Sequence, residues 1–222
     1  MKRIILVGAT GSIGRQTLDV LERHPDRFTI VAMSAHSSAE ALRSCARAYP
    51  SATLCLSGSS KPLQGIHHYG AAGLASMIHS TDADLVLNAA AGSDGLEVSF
   101  AALQSGKDLA LANKESIVMA GRLVLEMAKT AGKRVLPVDS EHSAIFNMME
   151  RFGRQAVREV ILTASGGAFR DLPAEKLETV TPEDALAHPT WNMGKKITID
   201  SASMANKGLE VIEAARLFDC AP

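Results

Sequence analysis

Ile4-Ile5-Leu6-Val7-Gly8-Ala9-Thr10-Gly11-Ser12-Ile13-Gly14 decides the fold. Four consecutive apolar residues read as a strand buried on both faces, and they run straight into a glycine-rich turn. Ile13, Thr17, Leu18 and Leu21 then recur at helical spacing up to His24-Pro25. Strand, glycine turn and helix together make a dinucleotide site. The glycines permit a tight turn and close backbone approach, and a helix N-terminus attracts pyrophosphate. The spacing is GxxGxxG rather than GxGxxG, so a sugar- or peptide-binding turn competes. Its place on the first strand favours the dinucleotide.

Working outward, Thr29 to Met33 reads as a second strand. An NAD site would end it with an acid that holds the ribose hydroxyls. Here Ser34-Ala35-His36-Ser37-Ser38 follows, without an acid. That tolerates a 2′-phosphate and points to NADP, with His36 and Ser37 as candidate contacts; the serines also suit a plain helix cap. Further strands are expected at Ala52–Leu56, Asp84–Asn88, Lys107–Ala112 and Val135–Val138. Helices fall between them, and Ser57 to Gly70 reads as loop. Such alternation predicts an α/β chain with a doubly wound parallel sheet, a Rossmann-like NADP-binding domain over residues 1–150. A partial α+β catalytic domain is expected over 151–222. Its strands would be Val157–Thr163 and Lys196–Asp200, and its last helix would run to Phe218 with Leu209, Ile212 and Leu217 buried.

A second stretch, Arg134 to Phe146, carries the chemistry. The apolar run Val135 to Val138 stops at Asp139-Ser140-Glu141, where ligands bind in a parallel α/β sheet. Two close carboxylates repel unless a proton or cation lies between them, and hard oxygen ligands suit Mg2+ or Mn2+. From this stretch alone a helix N-cap is the favoured reading, so its neighbours must decide. Asn113-Lys114-Glu115-Ser116 places further polar groups at a strand's carboxyl end. Ser165-Gly166-Gly167 suits an anion-binding nest. On the last helix Asn206 and Glu210 share a face. Lys207 at that helix's start opposes the macrodipole, which a bound anion would answer, although a solvated lysine there costs little.

Composition narrows the function classes. The 222 residues carry 23 Lys and Arg against 24 Asp and Glu, a net charge of −1, with 4% aromatic residues. Neither a basic field nor stacking platforms for nucleic acid are expected. Cys45, Cys55 and Cys220 form neither a disulfide framework nor a zinc pattern, and fit a reducing cytoplasm. The first apolar run breaks at Gly8 and Gly11, too early for a signal peptide, and no stretch suits a membrane span.

In these motifs the chain resembles the 1-deoxy-D-xylulose 5-phosphate reductoisomerase family. The resemblance rests on Gly8 to Gly14, Leu111 to Ser116, Val138 to Phe146, Leu162 to Phe169 and His188 to Glu213, in the family's order. It implies a metal site of Asp139, Glu141 and Glu210, with Lys114 beside them among the catalytic residues. It implies that Ser165, Ser201, Asn206 and Lys207 hold the phosphate of a phosphorylated ketose. Ser140, Lys114 and His188 would contact the rest of it, and the loop around Trp191 and Met193 would close over it. Thr10, Gly11, Ser12, Ile13, Asn113, Glu115 and Gly194 would touch NADPH. The full-length family member is expected to be a homodimer.

Three departures from the family pattern stand out. Ala9 replaces a serine, Ala168 replaces a proline, and Ala35-His36-Ser37 replaces Gly-Lys/Arg-Asn, which weakens the charge on the 2′-phosphate. Family members also continue beyond the position of Pro222, so an incomplete catalytic domain is expected. The leading expectation is therefore a metal-dependent NADPH reductoisomerase. Its rival is a cofactor-binding remnant without turnover that acts as a binding or assembly partner.

Overall fold

The computed structural model describes residues 1–220, and the chain divides into two compact units between Asp139 and Ser140. The first unit alternates strand and helix: β1 (Lys2–Val7), α1 (Ser12–Glu22), β2 (Phe28–Ala35), α2 (Ala39–Cys45), β3 (Thr53–Leu56), β4 (His68–Tyr69), α3 (Gly70–Ser80), β5 (Leu85–Asn88), α4 (Gly95–Gln104), β6 (Asp108–Leu111), α5 (Lys114–Ala131) and β7 (Val135–Pro137). All pairings are parallel, in the order β4-β3-β2-β1-β5-β6-β7. β4, two residues long, lies in the stretch expected to be loop.

Burial explains these strands. Ile5 and Leu6 are fully buried side by side in β1, as the uninterrupted apolar run requires of a strand covered on both faces. On one side Leu6, Met33 and Leu54 from adjacent strands pack with Leu18 and Leu21 of α1 and Leu42 of α2. Helix ends follow local chemistry. Ser38 caps α2 by accepting from the Ala41 N–H, and Gly132 closes α5 in the left-handed region at φ 64°.

The second unit begins with α6 (Ser140–Phe152), followed by short 3₁₀ turns at Arg154–Ala156 and Ala174–Thr179, α7 (Pro182–Leu186), α8 (Lys195–Ala202) and α9 (Ala205–Phe218). Thr181 and Asp184 form a reciprocal capping box at α7, with Pro182 in its first turn.

By contacts the chain passes from one compact unit to the other between Asp139 and Ser140, and α6 packs on α9 within the second. Several expectations need correction here. Val157–Thr163 is not a strand: no strand among the described residues of this unit offers its backbone a partner, and Ile161 is 78% exposed. Lys196–Asp200 is helical. Gly194 leads into α8, the Thr198 N–H and Oγ1 both donate to the Gly194 carbonyl, and Lys196 pairs with Asp200 one turn on. The β-branched run Ile197-Thr198-Ile199 gave way to those local bonds. On α9 the buried face carries Glu210, Glu213, Ala214 and Phe218, whereas Ile212 is exposed.

Candidate active site

In the first unit a cavity of about 470 Å³ opens where the strand order turns at β1, beyond the carboxyl ends of β1, β2 and β5. Gly8, Thr10 and Gly11 line it with Ala89 to Ala91, His36 and Ser57. The turn is shaped by close approach. Gly8 has φ +83°, and a side chain there would lie 2.5 Å from the Ala89 carbonyl oxygen. A side chain at Gly14 would lie 2.3 Å from the Gly8 oxygen, so α1 docks onto the loop only because that position is bare. Gly8 and Ala9 donate to the Ser34 oxygen at 3.1 and 2.8 Å, which ties the loop to β2. Ser12 and Ile13 form the exposed first turn of α1, and no side chain caps that turn.

His36 is exposed, with Nδ1 at 3.4 Å from the Ser57 Oγ; Ser37 is exposed beside it. Ser57 was not anticipated, and its position in a long loop gave no periodic signal.

Asn113 is buried and acts as a clamp. Its Oδ1 accepts from the Ser116 N–H and Oγ at 2.9 and 2.6 Å, which caps α5. Its Nδ2 donates to the carbonyls of Ala90 and Gly92 at 3.0 and 2.9 Å, and to Glu115 Oε2 at 3.0 Å. The cavity wall at Ala89–Ala91 is thus fixed to the start of α5. Next in the chain, the buried Lys114 ammonium forms an ion pair with Asp139, which lies just past β7.

In the second unit Glu141 of α6 and Glu210 of α9 meet at one cation. The Lys207 ammonium donates to Glu141 Oε1 at 3.0 Å and contacts Glu210 Oε2. The Asn206 amide donates to the other Glu210 oxygen at 2.5 Å, and the Ser140 hydroxyl to the other Glu141 oxygen at 2.6 Å. Burial would lower the Lys207 pKa, but its hydrogen bonds to Glu210 and Glu141 outweigh that and raise it. The Glu210 side chain is 2% exposed, and the Lys207 ammonium lies against it. The oxygen-only donor set, gathered round a positive charge, fits a hard divalent ion.

Behind this pair lies His142, fully buried and not anticipated. Its Nε2 is 3.1 Å from the Glu210 carbonyl, its Nδ1 is 3.7 Å from Glu213 Oε2, and its ring stacks on Phe218. The available signal was the second acid, Glu213, three residues after Glu210 on an otherwise apolar helix face.

Elsewhere in this unit the Thr190 and Trp191 N–H groups donate to His188 Nδ1 at 3.1 and 2.9 Å. In the neutral ring the proton is therefore on Nε2, which donates to Ser165 Oγ at 3.1 Å. Gly167, at φ +66°, passes so close to α8 that a side chain would lie 2.3 Å from the Ser201 oxygen. The Ser165-Gly166-Gly167 turn, bonded through Ser165 to His188, thus lies with its last residue against the Ser201 backbone. Gly194 stands at the head of α8, and Trp191 is 61% exposed in the preceding loop.

Comparison with known proteins gives these arrangements a context. A family model described as 1-deoxy-D-xylulose 5-phosphate reductoisomerase matches residues 4–121, and the model of that family's C-terminal domain matches residues 135–218. The 1-deoxy-D-xylulose 5-phosphate reductoisomerase of Geotalea daltonii is 45% identical, over 99% of this chain and 59% of its own length. The chloroplastic enzyme of that name from Mentha piperita is 46% identical, over 98% of this chain and 48% of its own. A crystal structure of DOX-P reductoisomerase in complex with NADPH, fosmidomycin and magnesium gives a TM-score of 0.89 at 38% identity, covering 99% of this chain and 59% of that one. The Zymomonas mobilis enzyme in complex with NADPH gives 0.86 at 40% identity, with the same coverage. The chain thus spans about 59% of the length of the bacterial relatives it matches. It belongs to the 1-deoxy-D-xylulose 5-phosphate reductoisomerase family.

Proposed function

We propose that this chain carries the cofactor and metal machinery of a cytoplasmic NADPH-dependent reductoisomerase of the non-mevalonate isoprenoid pathway. The reaction converts 1-deoxy-D-xylulose 5-phosphate to 2-C-methyl-D-erythritol 4-phosphate, in a full-length protein that is a homodimer. The observation that carries this reading is the meeting of Glu141 and Glu210, from two helices, at a single cation. Asp139 precedes by one residue the helix that bears Glu141.

Asp139, Glu141 and Glu210 would hold Mg2+ or Mn2+. Thr10, Gly11, Ser12 and Ile13 would seat the NADPH pyrophosphate, since backbone N–H groups of an uncapped first turn suit an anion. His36 and Ser37 would face the 2′-phosphate, and Glu115 and Gly194 would touch the cofactor. Asn113 would act by fixing the cavity wall, its amide already being engaged with backbone. Ser165, Ser201, Asn206 and Lys207 would hold the substrate phosphate, whose binding orients carbons remote from it. Lys114, Ser140 and His188 would meet the rest of the ketose. The loop bearing Trp191 would exclude water on closing. When bound, the cation would stabilise charge on the rearranging oxygens, and NADPH would supply the hydride.

The test is NADPH oxidation by this chain with 1-deoxy-D-xylulose 5-phosphate, with and without Mn2+ or Mg2+. Oxidation that requires both substrate and metal is expected. NADPH binding without any turnover, in folded protein, would favour the cofactor-binding remnant instead.

A further inference from the structure

Lys207 stands where helix physics disfavours it. It is in the first turn of α9, whose dipole repels a cation, yet its ammonium is mostly buried between Glu141 and Glu210. Two carboxylates brought this close repel one another, and the ammonium between them offsets that repulsion. Each already spends its second oxygen on a neighbour, Ser140 for Glu141 and Asn206 for Glu210. The ammonium therefore holds the oxygens that remain. Beside it Gly208 faces open space, with no atom within 4 Å of a side chain built there.

Resting on the metal reading above, we infer that Lys207 is a built-in competitor of the divalent cation. It keeps Glu141 and Glu210 together, and the arriving cation displaces it toward the substrate's anionic end. A divalent ion taking the same oxygens neutralises both carboxylates and repels the ammonium, which a flexible four-carbon stem lets swing away. Metal would then bind first and phosphate second, with one side chain passing from one to the other. Removing Lys207 should have opposite effects on the two ligands, tightening metal and weakening phosphate. A lysine dedicated to phosphate alone would leave metal affinity unchanged.

The experiment has two arms on the full 222-residue chain. Calorimetric titration with MnCl2 compares wild type, Lys207→Met and Glu210→Gln. Acetylation of wild-type lysines by acetic anhydride, with and without MgCl2, is read by mass spectrometry at Lys207, and this arm needs no variant to fold. Several-fold tighter Mn2+ binding by Lys207→Met, with Mg2+ raising Lys207 acetylation, is expected. Equal or weaker Mn2+ binding by Lys207→Met, or acetylation unchanged or lowered by Mg2+, overturns the inference while the metal reading stands. Failure of wild type to bind Mn2+ more tightly than Glu210→Gln overturns both.

Discussion

Asn113→Ala is the most informative single change in the first unit, because Asn113 joins three segments that the sequence leaves separate. Its Oδ1 caps α5, and its Nδ2 holds the carbonyls of Ala90 and Gly92. Losing a helix N-cap costs about 1 kcal/mol. Each of the two amide–carbonyl bonds contributes about 1 kcal/mol net, so the expected loss is about 3 kcal/mol. Asn113→Ser keeps a capping oxygen but cannot reach both carbonyls, and should cost about 2 kcal/mol. Urea unfolding followed by far-UV circular dichroism measures both. Trp191, the sole tryptophan, lies in the second unit, so its fluorescence reports that unit separately and should move less. NADPH affinity should fall in both variants as the Ala89–Ala91 wall loosens. If Asn113→Ser is as stable as wild type, the bonds to the Ala90 and Gly92 carbonyls contribute nothing to stability.

Three further outcomes are expected. Gly167→Ala forces a side chain against the Ser201 carbonyl at a left-handed backbone, and should destabilise the second unit by about 2 kcal/mol or more, read by Trp191 fluorescence; an unchanged midpoint would contradict that close approach. His36→Arg should raise the NADPH-over-NADH ratio of kcat/KM and His36→Ala should lower it, whereas equal ratios would remove His36 from 2′-phosphate recognition. Arg3 donates to Asp84 through side chain and backbone, which hold its carboxyl down from 3.8 to about 2. A depressed carboxyl stabilises the fold above its unfolded pKa, and that contribution is lost as pH falls toward 2. The stability gap between wild type and Asp84→Asn should therefore be present at neutral pH and close between about pH 4 and 2. A gap that stays constant on acidification would count against the pair.

The first unit was legible because its signals are redundant. Ile4 to Val7 must be buried on both faces, the glycines at 8, 11 and 14 fit only a turn into a helix, and Gly132 marks a helix end. Each local preference agrees with the sheet that results. The second unit lacks that agreement. Ile197-Thr198-Ile199 favours a strand by propensity, yet Gly194 and the Lys196–Asp200 pair hold it in a helix. Glu141, Glu210 and Lys207 were each visible as candidates, but not the pairing of Lys207 with Glu141, because an ion pair across 66 residues leaves no periodic trace. His142 was missed for the same reason: its partners, the backbone carbonyl of Glu210, the side chain of Glu213 and the ring of Phe218, are all distant in sequence.

The central place of β1 has a consequence for synthesis. Ile4 pairs with Ile30 on one side and with Leu85 on the other. A ribosome adding about 5–20 residues per second delivers the first partner well before the second. For that interval Ile4-Ile5-Leu6-Val7 presents a bare, apolar edge with charge only at its start, Lys2-Arg3, a template for joining another nascent chain. A chain truncated after Ser80 should accordingly bind a hydrophobic dye and aggregate, whereas one reaching Asn88 and beyond should do so less. Equal dye binding by both would show that the edge is guarded by something other than β5. The window closes when β5 emerges, which makes the stretch between Ser80 and Asn88 the moment at which this sheet stops being hazardous to its neighbours on the polysome.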